Sequence, residues 1–397
     1  MSYTLQSAIG YSEDIHHASR AGKHISQQIL AALTLRDQAV GILFACIDFN
    51  FPELLESLYA YLHIPIIGCT TSGELNGNGY FESSACLLVL TGKNLKVGIG
   101  VGTALNTDPV NAVHTACARA QSNLGPYPPK LVITFPDTSL KNSSEDLLTL
   151  IMQRLPAHTP VIGGIPGDNF HMEQTYQFVY SSVYSNSIPV LMLGGPDIHP
   201  TVVTRSGWLP IGRRVQVTRS NRHLVYALNH APAIDYLESY GVSTTDPHLL
   251  SSFPLAVFNS SPISSSKEHF IIRSAFFYDE HTGAIHYNGN IPEGSTVQLA
   301  RGSRADILSG TQEAIETIVR HREHRPTSTL LCFSCTGRRF QLGLHTAKEA
   351  QIIRTHAPLT YTVNGFYTYG EIGAIDSTDA ALRSVHFHNA TLVLCAL

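Results

Sequence analysis

Two segments of this chain repeat a turn whose residue types suit ligand contact. Residues 68–74 and 365–371 both read Gly-x-x-Thr-x-Gly-Glu, and each follows an apolar, strand-like run. The glycines permit left-handed backbone and let a ligand approach closely. The threonine and glutamate add a hydroxyl, a carboxylate and free backbone N–H groups at a strand's C-terminal end, where ligands sit in open α/β sheets. The same residues also suit a plain tight turn whose glutamate caps orphan amides. Candidate ligand-binding residues are therefore Thr71, Gly73 and Glu74 in the first copy, and Tyr367, Tyr369, Gly370 and Glu371 in the second. Cys335 and Arg338 join them from "SCTGRRF" (334–340), which follows another strand-like run. An aromatic cluster of Tyr361, Phe366, Tyr367 and Tyr369 facing Arg338 and Glu371 would suit a small planar or amphoteric ligand, with the guanidinium as a bidentate anion clamp.

Other chemistry is sparser. Cys332-Phe-Ser-Cys335 is a lone C-x-x-C with no second pair and strand-like flanks, which fits neither a zinc ribbon nor a redox turn at a helix start. G-x-S-x-G, Walker A, H-E-x-x-H and G-x-G-x-x-G patterns are absent. The seven cysteines are an odd count, and Cys46, Cys69, Cys86, Cys332 and Cys395 sit in apolar runs, as reduced buried thiols do. Net charge is −4 with no basic stripe, so nucleic acid is a poor partner. The opening residues lack a signal-peptide pattern and no apolar run reaches the roughly 20 residues of a membrane span, so a cytoplasmic protein without membrane insertion is expected.

A chain of 397 residues exceeds one comfortable core, and its elements recur. Strand, helix, strand, helix, strand, glycine turn and closing strand follow one another over residues 1–92, again over 93–196, and a third time over 295–397, where "STVQLARGS" supplies the first strand. The second turn, "GGIPGDN" (163–169), is one residue shorter and carries Asp168 in place of glutamate. Residues 197–294 fit least well: 243–252 and a serine-rich stretch near 260–266 read as loop. The expectation is an α/β protein of layered mixed sheets and helices, built from β-α-β-α-β-β units in two domains, 1–215 and 216–397.

At this point the residues resemble a known family. "GCTTSGE", "IPEGSTVQLARGS" (291–303), "SCTGRRFQLG" (334–343) and "VNGFYTYGEIG" (363–373) are similar to the FIST proteins, with an N-terminal and a C-terminal FIST domain. The resemblance implies a sensory, non-catalytic module of bacterial signal transduction that binds a small ligand. Its sharpest form is similar to the NosP-type nitric-oxide-sensing haemoproteins, which bind haem b through a histidine and regulate a sensor histidine kinase or a diguanylate cyclase/phosphodiesterase. His223, His286, His345 and His356 are the candidate iron ligands, since b-type haem needs only one or two axial side chains and an apolar slot. A sensor of an amino acid or similar metabolite, and a thiol-dependent transfer enzyme using Cys335, stand as alternatives.

Overall fold

The computed structural model describes residues 5–36, 38–137, 144–243, 247–258, 270–322, 329–358, 360–374 and 385–397. The chain opens with β1 (Gln6–Ser12), α1 (Ala18–Ala32), β2 (Ala39–Ala45), α2 (Phe51–Leu62) and β3 (Ile66–Thr70), then a short hairpin of β4 (Glu74–Asn76) and β5 (Gly79–Phe81), and β6 (Ala85–Thr91). The order recurs as β7 (Lys96–Thr103), α3 (Pro109–Leu124), β8 (Leu131–Thr134), α4 (Ser144–Met152), β9 (Val161–Gly164), a hairpin of β10 (Gln177–Val179) and β11 (Ser182–Tyr184), and β12 (Ser187–Gly194).

After β13 (Thr201–Arg205) the chain leaves this pattern. It makes β14 (Leu209–Asn221), β15 (Leu224–Leu228), β16 (Ala231–Pro232), α5 (Ala233–Glu238), α6 (Pro247–Ser252), β17 (Leu255–Phe258), β18 (Phe270–Arg273), β19 (Ala275–Asp279), β20 (Ala284–Tyr287) and β21 (Thr296–Arg301). The pattern resumes with α7 (Arg304–His321), β22 (Thr329–Cys335), α8 (Thr336–Leu342), a 3₁₀ turn at 343–345, α9 (Thr346–His356), β23 (Thr362–Thr368), a hairpin of β24 (Glu371–Ala374) and β25 (Val385–His388), and β26 (Leu392–Ala396).

Local chemistry sets these boundaries. Asn50 and Asp108 accept hydrogen bonds from Glu53 N and Asn111 N at the starts of α2 and α3, each with a proline in the first turn. Ser303 and Asp306 form a reciprocal capping box on α7. β2 and β6 are buried along their whole length and read as continuous apolar runs, as strands covered on both faces do.

Three six-stranded sheets share one strand order: β1-β6-β2-β3-β10-β11, β7-β12-β8-β9-β24-β25 and β13-β26-β22-β23-β4-β5. In each, the third and fourth strands are parallel and every other pair is antiparallel. The hairpin that follows each glycine turn leaves its own sheet and completes another. β4–β5 joins the third sheet, β10–β11 the first and β24–β25 the second. Alternate residues of each strand divide between two cores. Leu43 and Ala45 pack with α1 and α2, while Ile42 and Phe44 point to a common interior shared by all three sheets. There Phe44, Phe135 and Phe333 meet, with ring centroids 5.4 to 6.2 Å apart.

The mixed α/β layering agrees with the sequence reading, but three details differ. "STVQLARGS" contributes β21 to a separate sheet, β18-β17-β21-β14-β15-β20-β19, with its own core of Val215, Leu237, Leu255, Ile285 and Leu299. The edge strand of the third six-stranded sheet is β13, so the intervening sheet is inserted between that strand and α7. Residues 247–252 of the expected loop are helical, and 260–266 lie outside the described residues.

Gly68, Gly163 and Gly365 occupy matching register positions, opposite Leu43, Thr134 and Cys332. A Cβ at any of them would drive into the carbonyl oxygen of that opposite residue. Gly68→Ala, Gly163→Ala or Gly365→Ala is expected to destabilise the protein by about 3 kcal/mol, read as a lower urea midpoint. Gly77→Ala, where an added Cβ meets nothing within 4 Å, should leave the midpoint unchanged.

Candidate functional site

The three glycine turns interlock. Ser72 N donates to Tyr367 O at 3.1 Å and Tyr367 N to Gly73 O at 2.8 Å; Ile165 N donates to Gly370 O at 2.8 Å and Gly167 N to Thr70 O at 3.0 Å. The two glutamates of the repeated motif sit in matching networks. Thr71 and Ser84 donate to Glu74, with Ser84 Oγ at 2.7 Å and its N–H at 3.1 Å. Thr368 Oγ1 donates to Glu371 at 2.7 Å, and Thr391 donates through Oγ1 at 2.7 Å and N–H at 3.0 Å. Both carboxyls are fully buried, and burial outweighs these donors to push each up to about 7. The glutamates therefore anchor the closing strands from inside the protein. Asp168 does something else: it accepts from Tyr369 O–H and from the N–H groups of Met172, Glu173 and Gln174. Although burial opposes it, those donors hold its carboxyl below the usual range.

Arg338 and Glu371 do not meet on a rim. "TGRRFQL" is the helix α8, and it turns Arg338 inward, where none of its surface is exposed. Its guanidinium pairs with the equally buried Glu349 and donates to Thr311 Oγ1 at 2.7 Å, to Ile307 O and to Ser206 O. Tyr367 O–H and Ser334 Oγ donate to Glu349 at 2.6 and 2.8 Å. Burial raises the Glu349 carboxyl, but Arg338 and these hydroxyls bring it below its ordinary value. The cation expected to clamp a ligand is thus engaged inside the third unit. Strand alternation also splits the aromatic cluster: Phe366 faces the Phe44–Phe333 interior, while Tyr367 faces Glu349.

Other predicted residues do converge on a cavity of about 530 Å³ between the glycine turns and the inserted sheet. Cys335, Gly337 and Tyr369 form one wall, and His223, Phe276 and Tyr287 the opposite one. Cys335 Sγ contacts Glu371, and burial, reinforced by that carboxyl, pushes its thiol well up. Phe170 and Met172 stand at the mouth, 43 % and 72 % exposed. Asn169, Phe170 and Met172 all adopt positive φ (55°, 67° and 57°), a strained backbone for such side chains. Asp168, Tyr369 O–H donated to by Phe170 N at 2.8 Å, and Arg339 bound to Asn169 Oδ1 at 2.7 Å hold that loop in place.

Of the four candidate haem ligands, only His223 lines the cavity. His286 packs behind it with ring centroids 6.0 Å apart, and burial lowers both imidazoles. His345 belongs to the 3₁₀ turn, and His356 caps Ile352 O at 2.9 Å on α9; neither lines the cavity. Thr71, Gly73 and Glu74 also lie away from its lining. Sequence reasoning missed Trp208, Tyr287 and Phe340. The chain's single tryptophan was a signal of sorts, but only the inserted sheet brings Tyr287 opposite α8. All seven cysteines are free and buried, and among the described residues there is no cluster of three metal-ligating side chains.

Residues 39–231 match the FIST N domain and residues 233–374 the FIST C domain. No curated protein matches the chain. Among solved structures it is similar to the cyanuric acid hydrolase of A. caulinodans, at 10% identity over 99% of both chains with a TM-score of 0.39. It is also similar to PurLQS of Thermotoga maritima, at 11% identity over 99% of this chain and 72% of that one, with a TM-score of 0.22. At those TM-scores neither likeness carries an argument about fold or activity.

Two measurements check the buried groups. Arg338→Ala strands the Glu349 carboxylate and should cost about 3–5 kcal/mol of unfolding free energy, with Arg338→Lys a poor rescue because the forked contacts are lost. Glu371 holds its proton to about pH 7 against an ordinary 4.5, so folding binds that proton more tightly. Its stabilising contribution is fully present below pH 4.5 and is lost as pH rises through 7. The stability of Glu371→Gln minus that of the parent should therefore grow across that window in urea titrations and level off above it. His386 and His388, lowered by burial to about 4 and 3, slope the opposite way but cancel in the difference. A flat difference would show Glu371 to be ionised throughout.

Proposed function

Because the chain belongs to the FIST family, whose domains are sensory modules of signal transduction that bind small ligands, we propose that it senses a small molecule held in the cavity between the glycine turns and the inserted sheet. The observation that carries this reading is the cavity itself. Its volume suits a small ligand, its walls mix aromatic residues with serines, asparagines and a glutamine, and they come from chain segments that a ligand would bridge. Occupancy would reposition the strained 169–172 loop or α8, and that movement is the signal offered to a partner. A sensor histidine kinase or a diguanylate cyclase/phosphodiesterase in the cytoplasm is the partner class we assign. Among the described residues no helix is long and apolar enough to cross a membrane.

Cys335 argues against thiol-transfer chemistry. A nucleophilic thiol needs a lowered pKa or an adjacent base that is ready to accept its proton. Here burial and Glu371 hold the proton on sulfur. An amino-acid ligand is also disfavoured, because Arg338 is engaged with Glu349 and, among the described residues, no Lys or Arg lines the cavity.

The nitric-oxide-sensing form of the reading rests on His223, whose imidazole reaches the lining. Haem b would find an axial ligand and apolar faces there but, among the described residues, no Lys or Arg in the lining to receive its propionates. The residues thus fit the macrocycle better than its acidic edge.

Gly337 lines the cavity, and a Cβ added there meets only Cys335 Sγ at 3.7 Å. Gly337→Leu should fill space without unfolding the protein. In a thermal-shift survey of small metabolites, a cavity ligand at a hundredfold excess over its Kd should stabilise the parent by about 2.7 kcal/mol and leave Gly337→Leu unshifted. Equal shifts in both proteins would move the site elsewhere. Addition of haem should give a Soret band that disappears in His223→Ala if the haem form is right, and a spectrum of free haem if it is not.

A further inference from the structure

Several polar side chains line the cavity with their hydrogen-bonding capacity unfilled. Those of His223, Ser274, Asn288, Thr336 and Gln341 make no hydrogen bond among the described residues, and none of their polar atoms is sealed from solvent. Trp208 Nε1 and Tyr287 O–H, by contrast, are shut inside the wall. Thr336 is only 7 % exposed, and that remnant includes its hydroxyl. The backbones that carry these groups are fixed. Asn288 N donates to Ser274 O at 2.8 Å, Ser274 N to Asn389 Oδ1 at 3.3 Å, and Arg304 Nε to Gln341 O at 3.3 Å. Asn288 follows β20 of the inserted sheet and Gln341 belongs to α8, so the two amides stand on different walls.

The types of group narrow the ligand. Asn and Gln each set a C=O acceptor beside an N–H donor, a hydroxyl serves as either, and a neutral imidazole offers one of each. Burial lowers the His223 imidazole, which keeps it uncharged near neutral pH. Among the described residues, no Asp, Glu, Lys or Arg lines the cavity. Arg273 and Glu145 border it behind Gly289, but they pair with each other. Arg273 also donates to Asn290 O and Ile272 O, each at 3.2 Å, and to Phe387 O at 3.0 Å. A ligand with net charge would therefore lose hydration without gaining a counter-ion. Phe170, Phe276, Phe340 and Tyr369 add aromatic faces, on which a flat π-system stacks.

We propose that the ligand is a neutral nitrogen heterocycle of nucleobase type, whose lactam edge sets N–H beside C=O as the amides of Asn288 and Gln341 do. Asn and Gln read base edges through that paired donor and acceptor, and unstacked bases lie on aromatic rings. This rests on the cavity being the sensory site, and it narrows what that site takes.

Inosine and uridine carry the lactam as neutral nucleosides. Their derivatives 1-methylinosine and 3-methyluridine lack its N–H, and their 5′-monophosphates add charge. Trp208, the only tryptophan, lines the cavity, so its fluorescence reports occupancy alongside calorimetry. At least one nucleoside should bind and alter Trp208 emission. It should bind about five- to ten-fold more tightly than its N-methyl form, the worth of one neutral hydrogen bond, and more tightly than its monophosphate. Asn288→Ala or Gln341→Ala, both at partly buried positions, should erase the preference over the N-methyl form. No preference in the parent, a preference unchanged in both variants, or tighter binding of the monophosphate would overturn the ligand class while leaving the cavity as the site. So would failure of both nucleosides when another surveyed metabolite shifts the parent and not Gly337→Leu. If no compound does so, or if nucleoside binding persists in Gly337→Leu, the cavity reading falls, and this proposal with it.

Discussion

A strand edge with unpaired N–H and C=O groups must be covered, and here three such edges are covered by neighbouring units. The outer edges of β3, β9 and β23 each receive a two-stranded hairpin that begins just after another unit's glycine turn. The crossing is what forces the turns together, because each turn lies where the chain steps from one sheet to the next. It also places Phe44, Phe135 and Phe333 around one interior, since matched registers carry matched residues inward. The close-approach glycines follow from the same geometry: the strand beside each turn comes so near its parallel partner that no side chain fits.

Polar satisfaction is uneven across the molecule. Arg338, Glu349, Tyr367, Thr311 and Ser334 form a closed buried network in which each charged or hydroxyl group has a partner. Glu74 and Glu371 are likewise surrounded by donors. Such networks rigidify the elements they connect, here α8, α7, α9 and the turns. Buried polar atoms without a partner are found at Asn106, Gln177, Trp208, Tyr287, Asn290 and Asn364, and the loop at the cavity mouth is strained.

Much of this was readable from residues alone, and the failures share a cause. The repeated Gly-x-x-Thr-x-Gly-Glu turns, the strand–helix alternation and the helices α1, α2, α3 and α7 depend on local pattern, and they stand where periodicity put them. Cys335, Tyr369 and His223 do line one cavity. What escaped was non-local. Arg338 pairs with Glu349 because a helix, unmarked by any capping side chain, rotates it inward. Nothing near Leu75 announces that its strand will pair with Gly365. Trp208 and Tyr287 converge only because an inserted sheet folds back over α8. The family resemblance pointed to ligand sensing, but it could not supply these contacts.

The exchange of hairpins also orders events at the ribosome. Every strand of the first sheet lies between Gln6 and Tyr184, so that sheet can close while the chain is still being made. The second must wait for β24 and β25, and the third for β26. Until then β4 and β5 have no sheet to join, because Leu75 pairs with Gly365, roughly 290 residues later. Contacts of such long range fold slowly and leave adhesive edges exposed meanwhile. A nascent chain of this design has every reason to depend on chaperones, and its two halves, made separately, would each begin life with an uncovered edge seeking the other.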